Sequence, residues 1–340
     1  MSKISKKHLL INFICILFIF SFYFKSYLFL LLCLLLCYTE VRKTLHHLLF
    51  AAGCACVLIV VDIQNFKEYI FMLFSIILLS SKLNDEILYV LKCYSFYITI
   101  LIIWSLMVGE QKYGNYQDVL SFSSRLWLIM PDGKEFNPNP LGLLCALSAL
   151  GFLVNKKNIL AIFPLFILLL TQSRAAIIFL AISYIFSHKF NLKNFLLVLL
   201  SLLPFIYIIL NSQLSDRFLD DGENGRLDRT FIYYNLLKDN YILGYPIGSY
   251  LDFTAIYGSL DNMYLLMILQ YGLIGVIFFV YIFFMKINIM KDDFFRLRSS
   301  IFFATMFYGL FEGSIAGVFL MWLVFSLCFN NFGKGYIRSY

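Results

Sequence analysis

The chain is a succession of apolar runs broken by short polar punctuation, and that alternation restricts its fold more than any single motif does. The runs fall at 9–24, 27–39, 45–62, 69–81, 88–108, 139–154, 159–172, 175–187, 195–210, 262–285, 299–311 and 315–330. A straight membrane span needs about 20 apolar residues. Several runs are shorter, so the pattern predicts tilted or broken helices over 159–187 and is compatible with one bent hairpin over the first two runs. The expected fold class is an all-α polytopic membrane protein with about 10–12 transmembrane helices. Composition agrees: 61% of the 340 residues are apolar and 14% are charged, against about a quarter charged in soluble domains. The first run follows Lys3, Lys6 and Lys7, but no small-residue cleavage site comes after it, so it reads as a retained span.

Basic residues set the orientation. With the N-terminus inside, the inner loops hold Lys3, Lys6, Lys7, Arg42, Lys43, Lys82, Lys156, Lys157, Lys189, Lys193, Lys286, Lys291, Arg296, Arg298, Lys334 and Arg338, against the acids Glu40, Asp85, Glu86, Asp292 and Asp293. The outer loops reverse the balance and are net acidic. Both termini are therefore expected on the cytoplasmic side. The net charge of +7 is mostly this inside-positive bias and does not suggest a nucleic-acid partner.

The resulting organisation is N-terminal spans over 1–108, a first outer loop over 109–138, central spans over 139–210, a large outer loop over 211–261, and C-terminal spans with a cytoplasmic tail over 262–340. Within the first outer loop, Tyr116–Met130 has the character of a segment lying along the membrane surface, with Tyr116 and Trp127 at headgroup level. Asn137-Pro138-Asn139-Pro140 predicts a rigid turn into the next span. Long loops without apolar runs are usually functional. The one at 211–261 concentrates Arg217, Arg226, Arg229 and eight acidic residues, and Arg229–Tyr245 has helical spacing.

Several residues invite two readings each. Arg174, between two apolar runs, is either a snorkelling anchor or an anion ligand; a cation at membrane depth costs about 2.5–3.5 kcal/mol and needs a partner, and guanidinium pairs bidentately with phosphate. Arg217, Arg226 and Arg229 either form solvated ion pairs with neighbouring acids or converge on the same anion; Arg226 and Arg229 are three apart and share a face on a helix. Asp220, Asp221 and Glu223 are oxygen donors without the spacing of a calcium loop, so solvated acids are the simpler reading. Asp261 either caps the next helix or serves as a general base; the roles are compatible. The four histidines, His8, His46, His47 and His188, all fall on inner segments, so an outward-facing base must be a carboxylate. All eight cysteines lie in apolar stretches and read as packing residues; the pairs Cys33/Cys37 and Cys54/Cys56 have no His or carboxylate to join them in a span, and no disulfide is expected. The sequence contains no metalloprotease, ATPase or serine-hydrolase motif.

From about Asn137 onward the chain resembles the O-antigen polymerase and ligase superfamily of bacterial envelopes. Asn137-Pro138-Asn139-Pro140-Leu141-Gly142 is similar to the family's Asn-Pro-rich start of a central span, and Thr171-Gln172-Ser173-Arg174 to its Ser-Arg element. Asn224-Gly225-Arg226 and Leu243-Gly244-Tyr245-Pro246-Ile247-Gly248 resemble its large outer loop, and Asn262 with Gly272-Leu273-Ile274-Gly275 its following helix. Ligases of the family carry a histidine immediately before the Asn-type residue; here that position is Asp261, as in many of its polymerases. The resemblance implies a GT-C-like bundle in the bacterial inner membrane, with apolar grooves between spans for lipid tails. It also implies a glycosyltransferase needing no cofactor, nucleotide sugar or metal. Donor and acceptor would be undecaprenyl-pyrophosphate-linked glycans, and a chain-length regulator is an expected partner. In that scheme Arg174, Arg217 and Arg226, with Arg229 and Asn262, bind pyrophosphate and substrate; Asp261 is the base and Asp228 its reserve. The polymerase reading is preferred to a ligase acting on lipid A-core. A lipid-linked oligosaccharide flippase fits less well, because polar residues concentrate outside the spans and Lys92 is nearly alone within them.

Overall fold

A computed structural model describes residues 6–24, 87–133, 135–187, 226–245, 247–258, 260–287 and 295–312. The runs expected at 27–39, 45–62, 69–81, 195–210 and 315–330 lie outside the described residues, as do Arg217 and the Asp220–Glu223 acids. The described chain is mostly helical. Its helices are α1 (Lys6–Phe24), α2 (Ile87–Val108), α3 (Tyr116–Leu120), α4 (Pro138–Val154), α5 (Asn158–Thr171), α6 (Arg174–Ser187), α7 (Arg226–Asn240), α8 (Ile247–Tyr257), α9 (Met263–Ile287) and α10 (Phe295–Phe311). Among the described residues α2 is the helix long and apolar enough, by length and composition, to cross a membrane; α4, α5 and α6 are shorter apolar helices.

The all-α expectation needs one correction. Between α2 and α4 the chain forms three two-residue strands, β1 (Glu110–Gln111), β2 (Leu128–Ile129) and β3 (Glu135–Phe136), paired antiparallel in that order. The segment from Tyr116 to Met130 is a capped turn of helix followed by the central strand. Asn115 and Asp118 form a reciprocal capping box on α3. Cross-pairing satisfies backbone groups in the loop between α2 and α4.

The chain divides into two compact units. One takes residues 94–225 and 299–308. At its centre is α4, apolar on every side and buried from Leu141 to Phe152, as expected of a helix surrounded by others. It packs on α5 and α6. Gly142 permits the approach, since a Cβ there would stand 2.7 Å from the Ser173 Cβ. Ser148 Oγ donates to Ser95 O at 2.9 Å and lies 2.8 Å from Thr99 Oγ1, which gives α2 and α4 a polar link. Asn137 caps α4 by accepting from the Asn139 N–H, and Pro138 follows in the first turn, where a missing N–H costs nothing.

The other unit takes residues 1–93, 226–298 and 309–340. There α9 is not a continuous helix: Gly272 has φ 63° and ψ 177°. The backbone groups freed at this break are paired by the segment between α7 and α8. Leu273 N–H donates to Tyr241 O at 2.8 Å, Ile274 N–H to Ile242 O at 3.4 Å, and Tyr245 N–H to Leu269 O at 2.6 Å. Gly244, with φ 77°, meets the broken helix backbone to backbone. The Leu243-Gly244-Tyr245 and Gly272-Leu273-Ile274-Gly275 segments, 28 residues apart at their glycine partners, are thus one contact.

The Gly272 conformation is essentially reserved to glycine, and a Cβ there would collide with the Ile242 carbonyl. Gly272→Ala is expected to destabilise the protein by about 3 kcal/mol or more, from backbone strain and the lost latch. Gly133→Ala, with φ 77° but nothing within 4 Å, should lose only about 1 kcal/mol. Thermal unfolding of the two variants in detergent compares them; equal shifts would contradict the latch.

Candidate functional site

Of the residues singled out in the large loop, Arg229 and Asp261 meet where α7 packs beside the start of α9. Asp228 in the first turn and Lys238 in the last complement the α7 dipole. Positions 229, 233 and 237 recur every four residues and form its inner face: Tyr233 and Leu237 are buried, and Arg229 is partly so. The Tyr233 hydroxyl donates to Gly258 O at 2.7 Å, tying α7 to the turn that follows α8. Gly258 has φ 82°, and its lack of a side chain makes room for Arg229, whose Cδ would lie 3.0 Å from a Cβ there.

That packing directs the Arg229 guanidinium to Asp261, with Nη2 and Oδ2 3.7 Å apart. The two side chains are 27% and 25% exposed, so the pair borders solvent without being dissolved in it. A separation of 3.7 Å exceeds a hydrogen bond. The Arg229 Nε is buried and has no hydrogen-bond partner among the described residues. Buried guanidinium donors are ordinarily satisfied, so the corner presents cationic donor capacity beside a carboxylate.

Asp261 is not the cap of α9, which corrects one of its two sequence readings. Asn262 takes that role: its Oδ1 accepts from the Tyr264 N–H at 3.0 Å and the Leu265 N–H at 3.1 Å. The short amide side chain at the N-cap satisfies two otherwise orphaned donors. Asn262 is therefore committed to the backbone, and Asp261, the residue before it, faces Arg229.

The other expected residues are distributed as follows. Arg226 opens α7 three residues before Arg229, but its side chain lies outside the described residues, as does Arg217 altogether. Asp228 is exposed on the first turn. Arg174 belongs to the other unit, where it is the exposed first residue of α6. Its turn contains Gln172, a non-glycine residue with φ 52° and ψ 31° that is 7% exposed. The Gln172 Nε2 donates to Phe122 O at 3.1 Å and Ser124 O at 2.9 Å. Arg125, absent from the sequence-based set, donates from Nε to Thr171 O at 3.0 Å and from Nη2 to Asn139 Oδ1 at 2.5 Å. A lone Arg in a serine-rich loop gives no periodic signal, and its partners are 14 and 46 residues away. Among the described residues no group of three or more His, Cys, Asp or Glu side chains is arranged to hold a metal ion.

The small sheet carries its own charged cluster. Lys112 Nζ contacts both Glu135 carboxylate oxygens at 2.7 Å and lies 4.6 Å from the Trp127 ring centroid, and the Trp127 Nε1 donates to Glu135 at 3.1 Å. The hydrogen bond from Lys112 holds the Glu135 carboxyl below its usual range, and the same bond raises Lys112.

No protein-family model matches the chain, and no curated protein or solved structure matches it either.

Tyr233→Phe deletes the hydrogen bond to the partly buried Gly258. It is expected to cost about 0.5–1.5 kcal/mol and to raise amide exchange over 258–262 selectively. Exchange rising uniformly, or not at all, would separate Tyr233 from the Asp261 turn. For the sheet, Glu135 contributes stability above the ordinary carboxylate range and loses it as pH falls through its lowered value. Lys112 contributes below the ordinary amine range and loses its part only as pH rises through its raised value. Trp127 fluorescence should therefore be flat around neutrality and change in acid, and Glu135→Gln should abolish the acid limb.

Proposed function

We propose that the chain is a polymerase that joins lipid-linked oligosaccharide repeat units at the outer face of the bacterial inner membrane, producing O antigen or a similar surface polysaccharide. In this reading it is a multi-pass protein of about 12 spans with both termini cytoplasmic. The observation that carries the proposal is the Arg229–Asp261 corner: a guanidinium with an unsatisfied Nε donor stands 3.7 Å from a carboxylate, at the junction of the large polar loop and an apolar helix.

The chemistry follows from those two groups. An acceptor sugar hydroxyl attacks the anomeric carbon of the donor glycan, and the bond from that carbon to the pyrophosphate oxygen breaks. Asp261 removes the hydroxyl proton as the new glycosidic bond forms. Charge accumulates on the departing undecaprenyl pyrophosphate, and Arg229 stabilises it by charge-assisted hydrogen bonds. Arg174, Arg217 and Arg226 are the further cations assigned to anionic substrate groups, and Asp228 is the alternative carboxylate. No nucleotide sugar or metal is needed for any of these steps.

A deletion strain examined by gel for its surface glycan tests the reaction. Lipid A-core capped with a single repeat unit is the expected product. Uncapped core with accumulated lipid-linked polymer would indicate a ligase instead, and single units trapped inside would indicate a flippase. Asp261→Ala should reduce chain extension by about 10²-fold or more, the low end for a general base, with the protein retained in the membrane. Normal ladders from that variant would remove Asp261 from the chemistry. Arg229→Lys should also impair extension, because an ammonium does not reproduce the guanidinium fork.

A further inference from the structure

We propose that Arg125 is a positioning residue for Arg174, fixing the turn from which Arg174 projects. The inference rests on the reading of Arg174 as an anion ligand, but its structural basis is separate.

The basis is the C-terminus of α5. A helix leaves its last four carbonyls without intrahelical partners, and here each is paired. Leu168 O accepts from the Thr171 hydroxyl at 2.6 Å, and Leu169 O from the Gln172 N–H at 2.9 Å. The remaining two are paired by the loop before β2: Leu170 O accepts from the Leu126 N–H at 2.9 Å, and Thr171 O from Arg125 Nε at 3.0 Å. Gln172 returns the contact by donating to Phe122 O and Ser124 O. The turn is thus stitched to residues 122–126 from both sides. Only Gln172 and Ser173 separate α5 from Arg174, so fixing Thr171 and Gln172 fixes the point at which Arg174 leaves the backbone.

The second arm of Arg125 extends the tie to α4. Its Nη2 donates to the Asn139 side chain, while the Asn139 carbonyl accepts from the Tyr308 hydroxyl at 3.1 Å. Two acceptors on different helices require a planar fork of donors, which arginine has and lysine lacks. Gln172 holds a left-handed conformation that non-glycine residues adopt only when their surroundings impose it. The exposed side chain of Arg174 is therefore mounted on a turn held by Arg125 and Gln172.

The test uses the full-length protein in nanodiscs, with farnesyl pyrophosphate as the probe and amide exchange over 173–177 as the structural readout. Arg125→Ala should raise that exchange about tenfold and weaken probe binding about tenfold. In an Arg174→Ala background, Arg125→Ala should cause no further loss of binding, because Arg125 acts through Arg174. Asn139→Ala, which removes one arm only, should give a smaller effect of the same kind and replaces Arg125→Ala if that variant does not accumulate. Unchanged exchange, or raised exchange with unchanged binding, would overturn the assignment, as would independent losses that multiply in the double variant. If the wild type binds no probe, the anion-ligand reading fails, and the exchange data alone then decide whether Arg125 fixes the turn.

Discussion

Every backbone amide or carbonyl released where an apolar helix ends or breaks must find a partner, and that demand shapes both units of this protein. Leaving one buried and unpaired costs about 1–3 kcal/mol, and more in hydrocarbon. The break in α9 at Gly272 releases groups that residues 241–245 pair. The end of α5 releases carbonyls that Arg125 and Leu126 pair. In each case a connecting segment is drawn against a helix by hydrogen bonds to the released backbone groups.

The same demand decides which side chains remain available for chemistry. At the start of α9, Asn262 satisfies the helix donors, so the neighbouring carboxylate need not. Tyr233 pairs the Gly258 carbonyl and holds α7 close, and Gly258 makes space for the guanidinium one turn away. Arg229 and Asp261 consequently face each other at a distance too long for a hydrogen bond. In the unit built round α4, the Arg125 guanidinium is committed to a carbonyl and an amide, while Arg174 on the adjoining turn is exposed.

Helix positions were readable because apolar runs and helices share a cause. The runs at 88–108, 139–154, 159–172, 175–187 and 262–285 lie within a residue or two of α2, α4, α5, α6 and α9, and the helical spacing after Arg226 corresponds to α7. The start of α4 was legible in Asn137 and Pro138, which act locally. Less was visible where the partner is distant in sequence. Nothing local distinguishes Asp261 from Asn262 as the cap, since both residue types favour that position; the structure gives it to Asn262. The strands at 110–136 are two residues each, too short for alternation to register. Gly272 lies inside the apolar run at 262–285, and nothing near it in sequence signals the segment that inserts beside it.

Sequence alone determined which stretches are apolar enough to form helices, where charge accumulates, and that carboxylates rather than histidines occupy the expected outer segments. These are properties of residues and their near neighbours, and they survive without knowledge of contacts. Tertiary structure decided the rest: that Gly244 meets Gly272, that Arg229 approaches Asp261, and that Arg125 closes the end of α5. Each of those pairings joins residues tens of positions apart through geometry set by helix packing, which no local pattern encodes.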